Sequence, residues 1–307
     1  MQRRTFLTLA APLVINTAAQ VRATVRGMQL HLSCGALGIK ADQRQAVELA
    51  AKHGYDVVDA NAAWLGGRSD GELQDFLGWM KSQNVGWAMA GLPVDFRGEE
   101  APFRDGLAKF PDYCRGLKRA KVDKVTTWIL PSNDMWTYRQ NFDLHVTRMR
   151  EIARVLDDNG VRFGIEYVAP RTLLVAKHYP FAHTMAETRE LIAEIGRPNV
   201  GLVLDSWHWY HAGDSAADIA KLEPKDVVSV DLNDAPVNVP KGEMVDGKRE
   251  LPGATGVIDV KAFVGALEKI GYHGPVRAEP FNEAVRQMPP DQAADAAMSG
   301  LKKAFAS

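Results

Sequence analysis

The chain has 307 residues, 46% of them hydrophobic and 24% charged, with a formal net charge of −1. That length supports a sizeable core in a single domain, because α/β barrels reach this size undivided. Near-neutral charge without a basic run argues against nucleic acid as the main partner, and two cysteines, Cys34 and Cys114, make neither a zinc cluster nor a disulfide framework.

Residues 1–23 differ from everything after them. Arg3 and Arg4 precede an apolar stretch, and Val21-Arg22-Ala23 offers a small-residue cleavage site. The segment resembles a twin-arginine export signal, which implies a periplasmic or otherwise extracytoplasmic protein; without export the chain would be cytoplasmic. It is too short and too interrupted by Thr and Asn for a stable membrane span. The fold is therefore expected over residues 24–307.

From Met28 onward, strand-like apolar runs alternate with amphipathic helical ones. Gln29–Cys34 reads as a strand and Asp42–Lys52 as a helix ending at Gly54. Asp56–Ala60 is followed by a helix over Glu72–Ser82, and Trp87–Leu92 by one over Phe103–Ala120. Lys124–Leu130 precedes the periodic stretch Asn141–Asp158, stopped at Asn159-Gly160. Arg162–Tyr167 leads to a helix over Met185–Ile195, and Val200–Asp205 to a short one near Ser215–Leu222. Val227–Leu232 and a helix over Val260–Ile270 come next, then Val276–Glu279 and Asp291–Phe305. Eight strand–helix units of about 35 residues predict an α/β fold, a single (β/α)8 TIM barrel, rather than a doubly wound sheet. The one long irregular stretch, 235–256, would follow strand seven on the face where barrels build their sites.

Four consecutive strands end on acids: Glu166 closes the fifth, Asp205 the sixth, Asp231 lies in the seventh and Glu279 closes the eighth. In a barrel these ends converge, and four crowded carboxylates repel one another unless a cation or protons intervene. Oxygen-only ligands favour a hard divalent ion such as Mg²⁺ or Mn²⁺. Taken singly, each acid reads more simply as structural. Arg277 shares parity with Glu279, so it is expected to point inward and compete with a metal for the carboxylates. His31, Asn61 and Trp128 lie at or near the ends of strands one, two and four, where they either line a pocket or pack. Trp64, Trp136, Trp207 and Trp209 offer stacking faces for a sugar ring, although large aromatics commonly serve the core.

The segments 165–170, 200–213, 231–236, 249–253 and 271–281 resemble the sugar phosphate isomerase/epimerase superfamily, the xylose isomerase-like barrels. The resemblance covers the chain after its signal. It implies a divalent ion held by Glu166, Asp205, Asp231 and Glu279, with Mn²⁺ or Mg²⁺ ahead of Zn²⁺ or Co²⁺. The third position departs from the pattern, which usually has His where this chain has Asp231; Asp231 either ligates or only orients substrate, leaving Asp234 or a water in the shell. The resemblance further implies Glu166 and Glu279 as the catalytic pair, moving a proton beside a carbonyl through a cis-enediolate. His208, Arg249, Asn233, Trp207, His31 and Asn61 are the expected substrate contacts. The implied activity is a sugar isomerase or epimerase acting on a free sugar or sugar derivative, with a dehydratase or lyase on a keto-sugar, keto-glycoside or inosose as the alternative. A non-catalytic sugar-binding barrel or an endonuclease-IV-type nuclease fits less well, the latter because its histidine-rich zinc cluster has no counterpart here. A homodimer is the expected assembly.

Overall fold

The computed structural model describes residues 27–306, so the expected export signal lies outside the described residues. Eleven strands run in chain order: β1 (Gln29–Leu32), β2 (Val57–Val58), β3 (Gly86–Trp87), β4 (Ala90–Gly91), β5 (Lys124–Ile129), β6 (Ser132–Asn133), β7 (Arg162–Tyr167), β8 (Tyr179–Pro180), β9 (Val200–Asp205), β10 (Val227–Leu232) and β11 (Pro275–Ala278). Nine form one parallel sheet in the order β3-β2-β1-β11-β10-β9-β7-β5-β4, while β6 and β8 make a small antiparallel ribbon. The sheet's two ends, β3 and β4, are halves of one stave. Ala88 N donates to Val58 O at 2.8 Å and Leu92 N to Thr126 O at 3.0 Å, so this stave is bonded on both sides. Eight staves thus meet in a ring, as the alternation of strand and helix predicts.

The long helices follow their amphipathic stripes and are fixed at their ends by capping chemistry. Asp42 caps the helix Gln43–His53 in a reciprocal box with Gln45, and Gly54, at φ 83°, closes it in the left-handed region that disfavours side chains. The helix Tyr138–Asp157 starts three residues earlier than its apolar stripe suggests, because Thr137 and Gln140 form a capping box. Short helices at Ala62–Gly66, Arg171–Leu174, Ser206–Ala212 and Glu283–Arg286 fill the loops at the strand ends. One of these corrects the expectation for His208. It lies not in an open loop but in Ser206–Ala212, whose first turn is capped by Asp205 accepting from Trp207 N.

Staves β9 and β10 are buried along their whole length. Each is pressed between neighbouring staves and surrounding helices, which explains their near-continuous apolar sequences. No described helix is long and apolar enough to cross a membrane.

Candidate active site

Strand register sets the site. Asp205 of β9 pairs with Asp231 of β10, and Asp231 pairs with Arg277 of β11, so three charged residues stand side by side on adjacent strands. Glu279 follows β11 by one residue and keeps the ladder, its N–H donating to Leu232 O at 3.1 Å. Glu166 sits one stave over, on β7, opposite Val203. One oxygen from each of Glu166, Asp205, Asp231 and Glu279 lies within 4.8 Å of the others. A second group meeting the same distance is Glu166, Asp205 and His208. The sequence-predicted acids therefore do converge.

Two guanidiniums enter the same space. Arg249 Nη1 donates to Asp205 Oδ2 at 2.8 Å and to Glu279 Oε2 at 3.0 Å, and its Nη2 to Asp246 Oδ1 at 2.8 Å. Arg277 gives Nε to Asp231 Oδ1 and Nη2 to both Asp231 Oδ2 and Glu279 Oε1, each at 2.7 Å. Asp205, Asp231 and Arg249 are at most 1% exposed, a burial that charges tolerate only when paired. Phe281, held at a positive φ of 39°, covers the Arg249 guanidinium with its ring at 4.6 Å.

Electrostatics follow from burial and crowding. Burial raises Glu166 well above the ordinary carboxylate range, reinforced by the charges of Glu279, Asp231 and Asp205. Burial also pushes Glu279 up to about 8, with Asp231 adding to the rise and both arginines pulling against it. Asp205 is pushed up to about 6 by burial and the Asp231 charge, against the pull of Arg249. Burial, then the Arg249 cation and the neighbouring His211, hold His208 well below its usual value, so its ring is neutral.

These residues fit a divalent cation. Four carboxylates against two guanidiniums leave two formal negative charges at the centre. Glu166 Oε1 is buried with no hydrogen-bond partner, the state of a ligand oxygen awaiting a cation or a proton. Glu166, Asp205 and Glu279 could hold the ion with His208 alongside, its Nε2 lying 3.8 Å from Glu166 Oε1 and 3.7 Å from Asp205 Oδ2.

The charged centre forms one wall of a cavity of about 520 Å³ at the strands' C-terminal ends. Met89, Trp128, Val168, Val203 and Phe281 supply its apolar lining. Of the expected substrate contacts, His208 and Arg249 line this cavity. Asn233 stands behind it, donating to Asp205 Oδ1 at 2.7 Å, and Trp207 is wholly buried behind Arg249. Asn61 is turned away: it caps the helix Ala62–Gly66 and borders a separate hollow. His31 is buried with Nε2 3.0 Å from Asp59 Oδ1, and Asp59 is the group that reaches the cavity. Trp64 and Trp209 pack on Phe76 and Phe263. Asp234 is not among the converging carboxylates. Its carboxylate accepts from the backbone N–H groups of Ala235, Thr255, Gly256 and Ile258, which ties together the ends of the long loop.

Two charged cavity residues, Asp59 and Asp246, had no place among the sequence candidates. Asp59 carries the same strand-end signal as the four named acids, since it follows the apolar pair Val57-Val58. Asp246 carries none, because it lies in an aperiodic loop and gains meaning only through Arg249.

An eight-stave barrel with a buried acid–arginine centre at its C-terminal mouth has the architecture on which barrel enzymes build their sites. The chain belongs to the xylose isomerase-like TIM barrel family, whose profile matches residues 47–304. It is 23% identical over 244 residues to inosose isomerase of Bacillus velezensis, spanning 78% of this chain and 83% of that protein. It is 26% identical over 144 residues to 3-dehydroshikimate dehydratase of Pseudomonas aeruginosa, spanning 46% of this chain and 21% of that one. Among solved structures, a xylose isomerase domain protein of Alicyclobacillus acidocaldarius superposes with a TM-score of 0.77 at 31% identity, over 91% of this chain and 98% of the other. The IolI protein with a bound zinc atom superposes with a TM-score of 0.76 at 21% identity, over 91% and 98% of the two chains.

Proposed function

We propose that this chain is a divalent-metal-dependent isomerase or epimerase that moves a proton on the carbon beside a carbonyl of a free sugar or cyclic polyol ketone. The observation that carries the reading is the convergence of four carboxylate oxygens within 4.8 Å on the wall of the cavity. A divalent ion bound there supplies Lewis acidity to the carbonyl. The chain's own residues do the rest. Glu166 and Glu279 both face the cavity, placed to take a proton from the substrate and to return one. Arg249 fixes Asp205 and Glu279, and neutral His208 offers a ring nitrogen to a substrate oxygen. Both cavity guanidiniums are already committed to carboxylates, which favours an uncharged substrate over a phosphorylated one.

The relationship to inosose isomerase supports a ketone substrate. The partial match to 3-dehydroshikimate dehydratase supports a second outcome of the same proton abstraction, loss of a β-hydroxyl as water. Incubation with keto-hexoses and inososes in deuterated water, with and without Mn²⁺, Mg²⁺, Zn²⁺ or Co²⁺, tests both. Metal-stimulated deuterium uptake beside the carbonyl with conserved mass otherwise marks the isomerase, and formation of an enone marks the dehydratase. Neither deuterium uptake nor enone with any ion would sink the proposal.

A further inference from the structure

The resemblance implies His at the third position of the centre, and here that position is an acid paired with a cation on the neighbouring strand. Asp231 stands in register with Arg277, and the guanidinium grips its two oxygens side by side at 2.7 Å each. This is a flat, two-pronged pairing in which one guanidinium holds both oxygens of one carboxylate, whereas the oxygens of Asp205 and Glu279 go to separate donors. Exchanging a neutral imidazole for such a pair leaves the formal charge of the centre unchanged. It removes a ligand atom, however, and sets a cation within 2.7 Å of Glu279 Oε1. Arg277 still has one nitrogen to spare, since Nη1 meets only Ser33 Oγ at 3.5 Å, and the residue lines the cavity.

We propose that Arg277, held flat by Asp231, occupies the place of the fourth metal ligand, so that the ion is coordinated by Glu166, Asp205 and Glu279 alone. Asp231 is a positioning residue that never touches the ion, and the spare Arg277 nitrogen is directed at a substrate oxygen. This rests on the metal-dependent reading above.

Mn²⁺ and Zn²⁺ binding to the chelator-treated full chain, followed by calorimetry, tests the assignment without turnover. Arg277→Met should tighten binding by about tenfold or more, because it frees two oxygens and removes a neighbouring cation. Asp231→Asn should cost less affinity in the native background than in the Arg277→Met background, where Asp231 has become a ligand. An equal or larger cost in the native background would overturn the inference. Should Arg277→Met fail to fold, the double exchange D231H/R277M restores a neutral nitrogen ligand and should bind Zn²⁺ about tenfold or more tighter than the native chain; unchanged affinity would again overturn it. A native chain that binds none of these ions defeats the metal reading itself. The inference falls with it, whereas a native chain that binds an ion as tightly as D231H/R277M defeats the inference and leaves the metal reading standing.

Discussion

Arg249 shows how much of this site depends on single side chains. It emerges from the longest irregular stretch of the chain, yet it is 1% exposed and bridges Asp205 and Glu279. Replacing it by Met leaves buried Asp205 without its cation and Glu279 with Arg277 alone. The metal-free protein should lose about 3–5 kcal/mol in urea denaturation, the usual result of removing one partner of a buried ion pair. Glu279→Gln should behave differently. The amide oxygen can still accept one of the two arginine hydrogen bonds, so folding persists while turnover disappears, as measured by circular dichroism beside the deuterium-uptake assay. Full activity in that variant would exclude Glu279 from proton transfer. The acids themselves were legible in the sequence, because strand parity and barrel topology together dictate where a strand-end carboxylate points. The extent of Arg249's burial was not, since no periodicity places a side chain in a loop. Asp246, its partner, was invisible for the same reason.

At the scale of single elements, β7, β9 and β10 occur at the residues their apolar runs predict, because a buried parallel strand has a continuous signature. The short helices at the strand ends were mostly missed, being too brief to carry a 3.6-residue period; Ser206–Ala212 is recognisable only from its Asp205 cap and Gly213 stop. Within β9, Gly201 is required by space. A Cβ there would lie 2.7 Å from Asp226 O, a backbone atom that cannot swing aside. Gly201→Ala should therefore destabilise the protein by about 1–3 kcal/mol, the typical penalty of overpacking a core, read from the denaturation midpoint. A neutral result would mean that β9 shifts freely, and with it Asp205.

For the molecule as a whole, the unpaired proton affinity of the centre becomes a dependence of stability on pH. Asp205 and Glu279 carry folded-state values of about 6 and about 8, above the ordinary 3.8 and 4.5. Between those limits these two carboxyls bind more protons in the native chain than in the unfolded one, so their contribution to stability declines as pH rises; the buried His145, His208 and His211, held below their usual 6.5, oppose that decline only at lower pH, where the unfolded chain protonates them. Thermal unfolding of chelator-treated protein should accordingly show a lower Tm at about pH 8 than at about pH 7, where these histidines are neutral in both states and Glu279 still loses its proton, and saturating Mn²⁺ should raise Tm more at the higher pH. A Tm that climbs across this interval without metal would contradict the burial of these acids as described.

The four-fold grip of Asp234 on Ala235, Thr255, Gly256 and Ile258 makes a seam at the root of the excursion that carries Arg249. Residues 237–243 at its outer reach are all exposed. Because closing a longer excursion costs little once its base is stitched, that outer reach is free to vary while the barrel beneath stays put. A protease nick confined to residues 237–243 should leave two fragments that migrate together under native conditions, and grafting a different outer reach onto the same seam is the natural route by which this scaffold would acquire new substrates.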